Sequence, residues 1–249
     1  YTAIAAREPL TAIPTFSTGY TAAIVHMAEG PVLVLSIHPK CCGYIGSSED
    51  AQRISQTAGM ARTINEVRAG LHGPYAGAPA IVIGDWNLVG SRTPLDMLTD
   101  PAGPGLRWII PPNLIGESVA TWWSATSDFT PGLLDLIVYD DAALSHRNHF
   151  ILDTAVLNAA ELAAMNLQAG DSAASDHALL VADFSFAPPC PGDIDFDGAV
   201  GFPDLNVFMA SFNCRGASTA GALDGDGDVD FNDLNALLPS FNTTCVPNP

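Results

Sequence analysis

The chain has 249 residues, 48% of them apolar, and a mean hydropathy of +0.22, which lets it bury a substantial core and places it among globular proteins. No apolar run reaches the roughly 18 residues that mark a bilayer span. Nine basic residues against 27 acidic ones give a formal charge of −18, which argues against unaided binding of a polyanion, because phosphate recognition rests on Lys and Arg; a phosphate ligand here requires a metal ion.

In chain order, the runs 22–25, 32–37, 80–83, 133–139 and 178–186 are short and almost continuously apolar, the pattern of strands buried on both faces. His38 directly follows the second run. Between the second and third, Ile54, Ala58, Ala61, Ile64 and Val67 recur at helical spacing behind Ser48-Glu49-Asp50, which predicts a helix over 48–70 that also carries Arg53. The third run leads into Gly84-Asp85-Trp86-Asn87. The fourth, Leu133 to Tyr139, carries a single acid, Asp135. A second helix is expected over 153–167, with Leu157, Leu162 and Met165 as its apolar positions, and Ser175-Asp176-His177 precedes the last strand. Strands interleaved with helices predict a layered α/β domain over 1–187.

Ala187-Pro188-Pro189-Cys190-Pro191-Gly192 reads as a linker, placed at 188–191, because clustered prolines followed by no apolar period break regular structure. Nine Asp and one Arg fall from Cys190 onward, a net of −8, which leaves −10 for the first 189 residues. Residues 192–249 contain an internal repeat of period 29. Asp204-Leu205-Asn206 recurs as Asp233-Leu234-Asn235, and Phe208, Ser211, Phe212 and Asn213 recur as Leu237, Ser240, Phe241 and Asn242.

In the first repeat Asp193, Asp195 and Asp197 alternate, Gly198 follows, and Asp204 stands at position 12 counted from Asp193. That is the ligand spacing of an EF-hand-type loop: a hard cation that takes six to eight oxygens meets carboxylates at positions 1, 3, 5 and 12, a sharp turn at the glycine and the Ala199 carbonyl at position 7. The second loop offers Asp224, Asp226, Asp228, Asp230 and Asp233, but Ala222 takes its first position, so weaker affinity is expected unless Asp228 or Asp230 compensates.

Cys41, Cys42, Cys190, Cys214 and Cys245 show no zinc-type paired spacing. The last three bracket the acidic segment, as staples of a small domain in an oxidising compartment do, and the odd total leaves at least one unpaired or bonded outside the chain. Together with a first residue Tyr1 and no charged-then-apolar leader, this reads as a secreted or cell-surface fragment whose export signal is cleaved or lies elsewhere. The alternative is five buried thiols.

Chemistry concentrates at the strand ends. An unpaired buried carboxylate is costly, so Asp135 needs a partner, and His177 is the natural one: an acid hydrogen-bonded to an imidazole fixes its tautomer and raises its basicity. Taken singly these residues also read as ordinary structure. Asp85-Trp86-Asn87 is a fair turn, since Asp and Asn bond their own backbone, Ser175-Asp176 a fair cap, and His38 a fair surface histidine. Trp122-Trp123 carry no assignment.

Taken in order, His38, the helix with Arg53, Gly84-Asp85-Trp86-Asn87, Leu134-Asp135 and Ser175-Asp176-His177 resemble the later motifs of the endonuclease/exonuclease/phosphatase superfamily, the deoxyribonuclease I-like fold, over residues 1–186. The resemblance implies a four-layer α/β sandwich, here a partial one, and magnesium-dependent or similar hydrolysis of phosphoester bonds. It implies that Asp85 and Asn87 position the attacking water and the phosphate, that Asp176 helps hold the divalent ion, that Asp135 orients His177, and that His38 contacts or protonates a phosphate oxygen. The family's first metal ligand, a Glu in an N-terminal strand, has no counterpart, and Glu8 sits in an unsuitable Arg-Glu-Pro context. The chain therefore reads as lacking the N-terminal part of the domain, with an incomplete metal site.

Residues 192–244 resemble a dockerin type I module, which implies two calcium ions and attachment to a cohesin-like partner; a purely stabilising calcium module is the alternative. The combined expectation is a metal-dependent phosphoesterase on a calcium-binding tail, whose acidic surface favours a small or lipid-linked phosphodiester over nucleic acid. An inactive scaffold and a secreted nuclease are the competitors.

Overall fold

The structure, a computed structural model, describes residues 2–110, 112–114, 118–124, 130–186, 192–195, 199–214, 221, 223 and 228–245. The chain divides into two compact units, one of Tyr1–Trp108, Pro112–Asp140 and Phe150–Val181, the other of Ile109–Pro111, Asp141–His149 and Ala182–Pro249. It is a mixed α/β protein, with five α-helices among the described residues. The linker expected at 188–191 lies outside them.

The elements follow as β1 (Leu10–Ile13), β2 (Tyr20–His26), β3 (Pro31–Ile37), α1 (Ser48–Arg68), β4 (Ala80–Asp85), α2 (Thr93–Thr99), β5 (Arg107–Ile109), β6 (Asp135–Tyr139), β7 (Ser145–Leu152), α3 (Ala159–Met165) and β8 (Leu179–Ser185). Six of the strands form one sheet in the order β1-β2-β3-β4-β6-β5, while β7 and β8 pair as a separate two-stranded sheet. β2 pairs antiparallel with both β1 and β3, β3 and β4 are parallel, and β4 and β6 are antiparallel. The parallel step is the one that α1 crosses, as geometry requires, because two parallel strands cannot be joined by a tight turn.

Burial on both faces holds for the centre of this sheet. All five residues of β6 are buried, and Ile24, Leu33, Leu35, Val82, Ile137 and Val138 are fully enclosed. It fails for β8, which has no buried residue and exposes Leu179: a strand paired on one side in a two-stranded sheet has little to cover it.

α1 begins where expected, but Ser47 caps it, its hydroxyl accepting the Asp50 N–H. Its buried stripe keeps only two of the five predicted positions, Ile64 and Val67. Ala58 is exposed and Ile54 and Ala61 are half-buried, while Arg53, Gln56, Thr57, Met60, Thr63, Ile64 and Val67 face inward. Polar side chains line this face because they hydrogen-bond there: Thr63 to the Tyr20 hydroxyl, Gln56 to the Lys40 N–H, and Arg53 to two loop carbonyls. The single helix expected over 153–167 is instead a 3₁₀ turn at Thr154–Val156 followed by α3. Asn158 divides them, its side chain accepting the Ala160 and Glu161 N–H groups while Glu161 returns a bond to the Asn158 N–H.

In the second unit, β9 (Ala199–Val200), α4 (Phe202–Ala210), α5 (Phe231–Leu237) and β10 (Thr243–Thr244) enclose a core of Val200, Phe208, Val229 and Leu237. The 29-residue repeat is visible in the backbone. The Asn213 N–H donates to the Val229 carbonyl and the Asn242 N–H to the Val200 carbonyl, so each repeat caps the other through equivalent residues, with both asparagines at left-handed φ of 64° and 62°.

Candidate active site

Strand register brings the candidate residues together. Gly84 pairs with Ile37, which sets His38 beside Asp85, and Asp85 pairs with Asp135. Because β4 runs parallel to β3 and antiparallel to β6, the end of β3, the end of β4 and the start of β6 share one edge of the sheet. Gly84 permits the approach: its φ is +141°, and a Cβ there would collide with the Ile37 carbonyl oxygen.

Beyond Asp85 the chain turns. Trp86 is fully buried, its backbone N–H donating to Leu134 O at 2.8 Å and its indole N–H to Leu136 O at 3.2 Å. Asn87 adopts a left-handed φ of 48°, its N–H donates to Asp85 Oδ1 at 2.8 Å, and its Nδ2 donates to the Pro39 carbonyl at 3.1 Å. This is the side-chain-to-backbone turn chemistry of Asp and Asn. It fixes the two side chains rather than competing with a functional role.

His177 arrives from a separate segment. Trp122 bridges both Gly132 and His177, the Ala178 N–H donates to Thr121 O at 2.7 Å, and the Trp123 N–H donates to Asp176 O at 3.2 Å. Thr121 is fully buried, and its hydroxyl oxygen accepts the N–H groups of Leu134 and Asp135 at 3.0 and 2.9 Å. One threonine thus ties the His177 segment to the start of β6. Sequence reasoning missed it, because an isolated Thr before two tryptophans carries no pattern.

The resulting cluster is continuous. His177 Nδ1 lies 2.7 Å from Asp135 Oδ2, His177 Nε2 lies 3.9 Å from Asp85 Oδ2, and His38 Nε2 lies 3.5 Å from the same oxygen. The side chains of Asp135 and Asp85 are 9% and 12% exposed, against 27% for His177 and 50% for His38, so the acids form the floor and the imidazoles the rim. Burial pushes the Asp85 carboxyl above its ordinary value, aided by the nearby Asp135 charge and opposed by the Asn87 N–H. The hydrogen bond to Asp135 holds His177 above the usual imidazole range against its own desolvation, with the Asp85 and Asp176 charges adding to the effect.

Asp176 sits at the side of this group. Its Oδ2 accepts the Trp122 indole N–H at 2.8 Å, a partner absent from the sequence-based reading. For a divalent ion the donor chemistry at this edge fits: magnesium is commonly held by one or two carboxylates and completes its shell with water and substrate oxygens, and Asp176, Asp85 and the Asn87 side-chain carbonyl are oxygens of that kind. Among the described residues, triplets of acidic or imidazole groups close enough to share one ion occur only in the second unit.

Those triplets are Asp193, Asp195 and Asp204, and Asp228, Asp230 and Asp233, with ligand oxygens within 4.8 Å of one another in each. Asp204 and Asp233 are fully buried. Asp204 accepts the N–H groups of Ile194, Asp195 and Gly201, and Asp233 those of Leu223 and Asp230, so each closes its loop onto the following helix. Ala199 lies in β9. The second triplet takes Asp228 and Asp230, which correspond by the 29-residue shift to Ala199 and Gly201 of the first. Asp197, Asp224 and Asp226 lie outside the described residues, and Cys245 is disulfide-bonded while Cys41, Cys42 and Cys214 are free.

No protein-family model matches this chain, and no curated protein matches it. Among solved structures it is similar to the catalytic domain of human Nocturnin, at 20% identity and a TM-score of 0.44, over 75% of this chain and 60% of that one. It is also similar to the 3'-5' exonuclease NExo from Neisseria meningitidis, at 15% identity and a TM-score of 0.45, over 72% of this chain and 71% of that one. Truncated TDP2 from Caenorhabditis elegans gives 15% identity and a TM-score of 0.42, over 71% and 65%. The chain thus spans 60% of the length of the Nocturnin domain.

Proposed function

We propose that the chain carries the phosphoester-hydrolysing edge of a deoxyribonuclease I-like, endonuclease/exonuclease/phosphatase-type enzyme, acting on a small or lipid-linked phosphodiester. The observation that carries this reading is the run Asp135–His177–Asp85–His38, in which Asp135, Asp85 and His38 stand at three adjacent strand ends and His177 reaches between them from a separate segment. Asp85, with its proton affinity raised by burial, takes the proton of the attacking water while Asn87 holds its carboxylate in place. His177, kept protonated by Asp135, presents Nε2 to the negative charge that builds on the phosphate oxygens, and His38 donates from the open side. A divalent ion at Asp176 would neutralise phosphate charge and stabilise the leaving oxygen.

For the acidic C-terminal segment, taken as a domain over 192–249 joined through 188–191, we propose a dockerin-like calcium module that attaches an exported protein to a cohesin-like partner. Support comes from the two carboxylate triplets and the reciprocal asparagine caps.

The test is hydrolysis of bis-p-nitrophenyl phosphate with and without magnesium by the native chain, Asp85→Asn and His177→Ala. The expected result is metal-dependent turnover that falls at least about 100-fold in each variant, the range for loss of a positioned acid or base. Equal rates in all three would leave the scaffold reading in its place. Plasmid nicking that collapses on added salt would redirect the substrate to DNA.

A further inference from the structure

Four residues beyond β3, the loop presents two adjacent cysteines. Both Cys41 and Cys42 are free and exposed, and the Cys42 thiol donates to Cys41 Sγ at 2.8 Å. In an extended segment, successive side chains point to opposite sides, so two neighbouring sulfurs meet only where the backbone turns between them. It does so here: Cys42 sits at a φ of +68°, in the left-handed region, followed by Gly43 at +78°.

The turn is built rather than incidental. Arg53, fully buried in α1, donates from Nη1 to the Lys40 carbonyl at 2.9 Å and to the Cys42 carbonyl at 2.7 Å, which clamps the peptides on either side of the Cys41–Cys42 pair. The Lys40 N–H donates to Gln56 Oε1 at 2.8 Å. Arg53 is itself held by Asp50 at 3.3 Å, and Asp50 accepts from the Gly46 N–H and from the Ser91 N–H and hydroxyl. A left-handed cysteine is tolerated where its surroundings over-determine the backbone, and five hydrogen bonds to Arg53 and Asp50 from this loop and from Ser91 do so.

We propose that Cys41 and Cys42 are a thiol-exchange site that closes to a vicinal disulfide when the chain meets a small disulfide oxidant such as oxidised glutathione. One cysteine thiolate attacks a sulfur of the oxidant, breaking its S–S bond, forming a mixed disulfide and releasing one glutathione thiol. The other cysteine then loses its proton and attacks the protein-side sulfur of that mixed disulfide, releasing the second. The two cysteines are oxidised by two electrons, the oxidant is reduced to two thiols, and the two cysteine protons end on those thiols.

The second step is fast because the attacking sulfur is already in contact, so exchange is intramolecular. The product is readily reversed. Cα atoms joined by one trans peptide lie about 3.8 Å apart, short of the roughly 4.4–6.8 Å that a relaxed disulfide prefers, and strained, exposed disulfides are the labile ones. The pair is therefore a reversible couple. Cys214, free and exposed but without an adjacent cysteine, is the internal comparison.

The experiment equilibrates the folded chain in glutathione buffers from fully reduced to fully oxidised, quenches with acid, blocks free thiols with N-ethylmaleimide and digests with trypsin. The peptide 41–53 contains these two cysteines and no other. It should pass from doubly alkylated to an unalkylated form lighter by two hydrogens, without accumulating glutathione, and dithiothreitol should reverse the change. Cys41→Ser and Cys42→Ser should each stop at a single glutathione adduct, as Cys214 does in the native chain. A native peptide that accumulates glutathione at the oxidised end, or stays doubly alkylated there, overturns the proposal.

Discussion

At the scale of single residues, the site's electrostatics set its pH response. Both shifts are upward: Asp85 through burial and His177 through its bond to Asp135. Asp85 must be ionised to act as a base, so the acid limb of kcat/KM should lie above the ordinary carboxylate value of about 3.9. His177 must be protonated to meet the phosphate, so the alkaline limb should lie above about 6.5. Asp135→Asn removes the main cause of the His177 shift and leaves its desolvation. The Asp85 and Asp176 charges still offset that desolvation, so the alkaline limb should move down toward the ordinary imidazole value of about 6.5, with a loss of activity at pH 7 read from a pH–rate profile of the variant beside the native chain. The same pair bears on stability with a definite sign. A histidine whose folded pKa is raised contributes fully below its unfolded value of about 6.5, and the contribution disappears as pH rises through the folded value. An alkaline limb unmoved in the Asp135→Asn variant would separate His177 from the chemistry.

At the scale of elements, the end of β4 and the turn after it hold left-handed backbone at Gly84 and Asn87, and α1 buries the Arg53–Asp50 pair. Gly84→Ala places a Cβ against the Ile37 carbonyl at a φ of +141°, so the β3–β4 register must give way. A loss of about 2 kcal/mol or more is expected, read as a lowered urea midpoint. On α1, Asp50 is pulled down to about 2, first by the Gly46 and Ser91 N–H groups and with a contribution from Arg53. A depressed carboxylate stabilises above its unfolded value and loses that contribution as pH falls through its folded one. The loop 40–46 and the start of α1 should therefore loosen between about pH 4 and pH 2, and Asp50→Asn should make its acid unfolding curve flatter there. These two elements also show where sequence was readable. Ala80 to Ile83 and Leu133 to Tyr139 announce themselves by unbroken apolar runs, and Asp135 stands out because one acid interrupts such a run. The pairing with His177 follows from the cost of burying that acid alone, and it is present at 2.7 Å. The inner face of α1 was readable at Ile64 and Val67 but not at Arg53, Gln56, Thr57 and Thr63, which are polar and whose burial only their tertiary partners make affordable. β7, Ser-His-Arg-Asn-His-Phe-Ile-Leu, was missed for the opposite reason: its first five residues are polar and only its last two are buried. Thr121 and the Trp122 indole, which hold Asp135 and Asp176, belong to no periodic pattern and are legible only in three dimensions.

At the scale of the whole molecule, the charge of −18 is unevenly distributed in sequence, and the segment from Cys190 onward holds nine acids to one base. Bringing Asp193, Asp195 and Asp204 within 4.8 Å of one another, and likewise Asp228, Asp230 and Asp233, costs folding energy through mutual repulsion, and a bound cation removes that cost. Calcium should therefore raise the melting temperature of the C-terminal segment, and a chelator should lower it. At calcium one hundred times its dissociation constant the gain is about 2.7 kcal/mol per site. The variant that separates ligation from folding is Asp195→Asn, because Asp195 is exposed while Asp204 is buried and closes the loop through backbone bonds. In chelator Asp195→Asn should melt at or slightly above the native temperature, since it removes a like charge. In calcium it should lose much of the native gain. Monovalent salt should narrow the gap between native chain and variant in chelator, since screening acts on the same repulsion, and should leave the calcium gain largely in place at saturating ion. A melting curve indifferent to calcium, chelator and the substitution alike would mean that the two carboxylate triplets are loop-closing devices, held by the backbone N–H groups that Asp204 and Asp233 already accept.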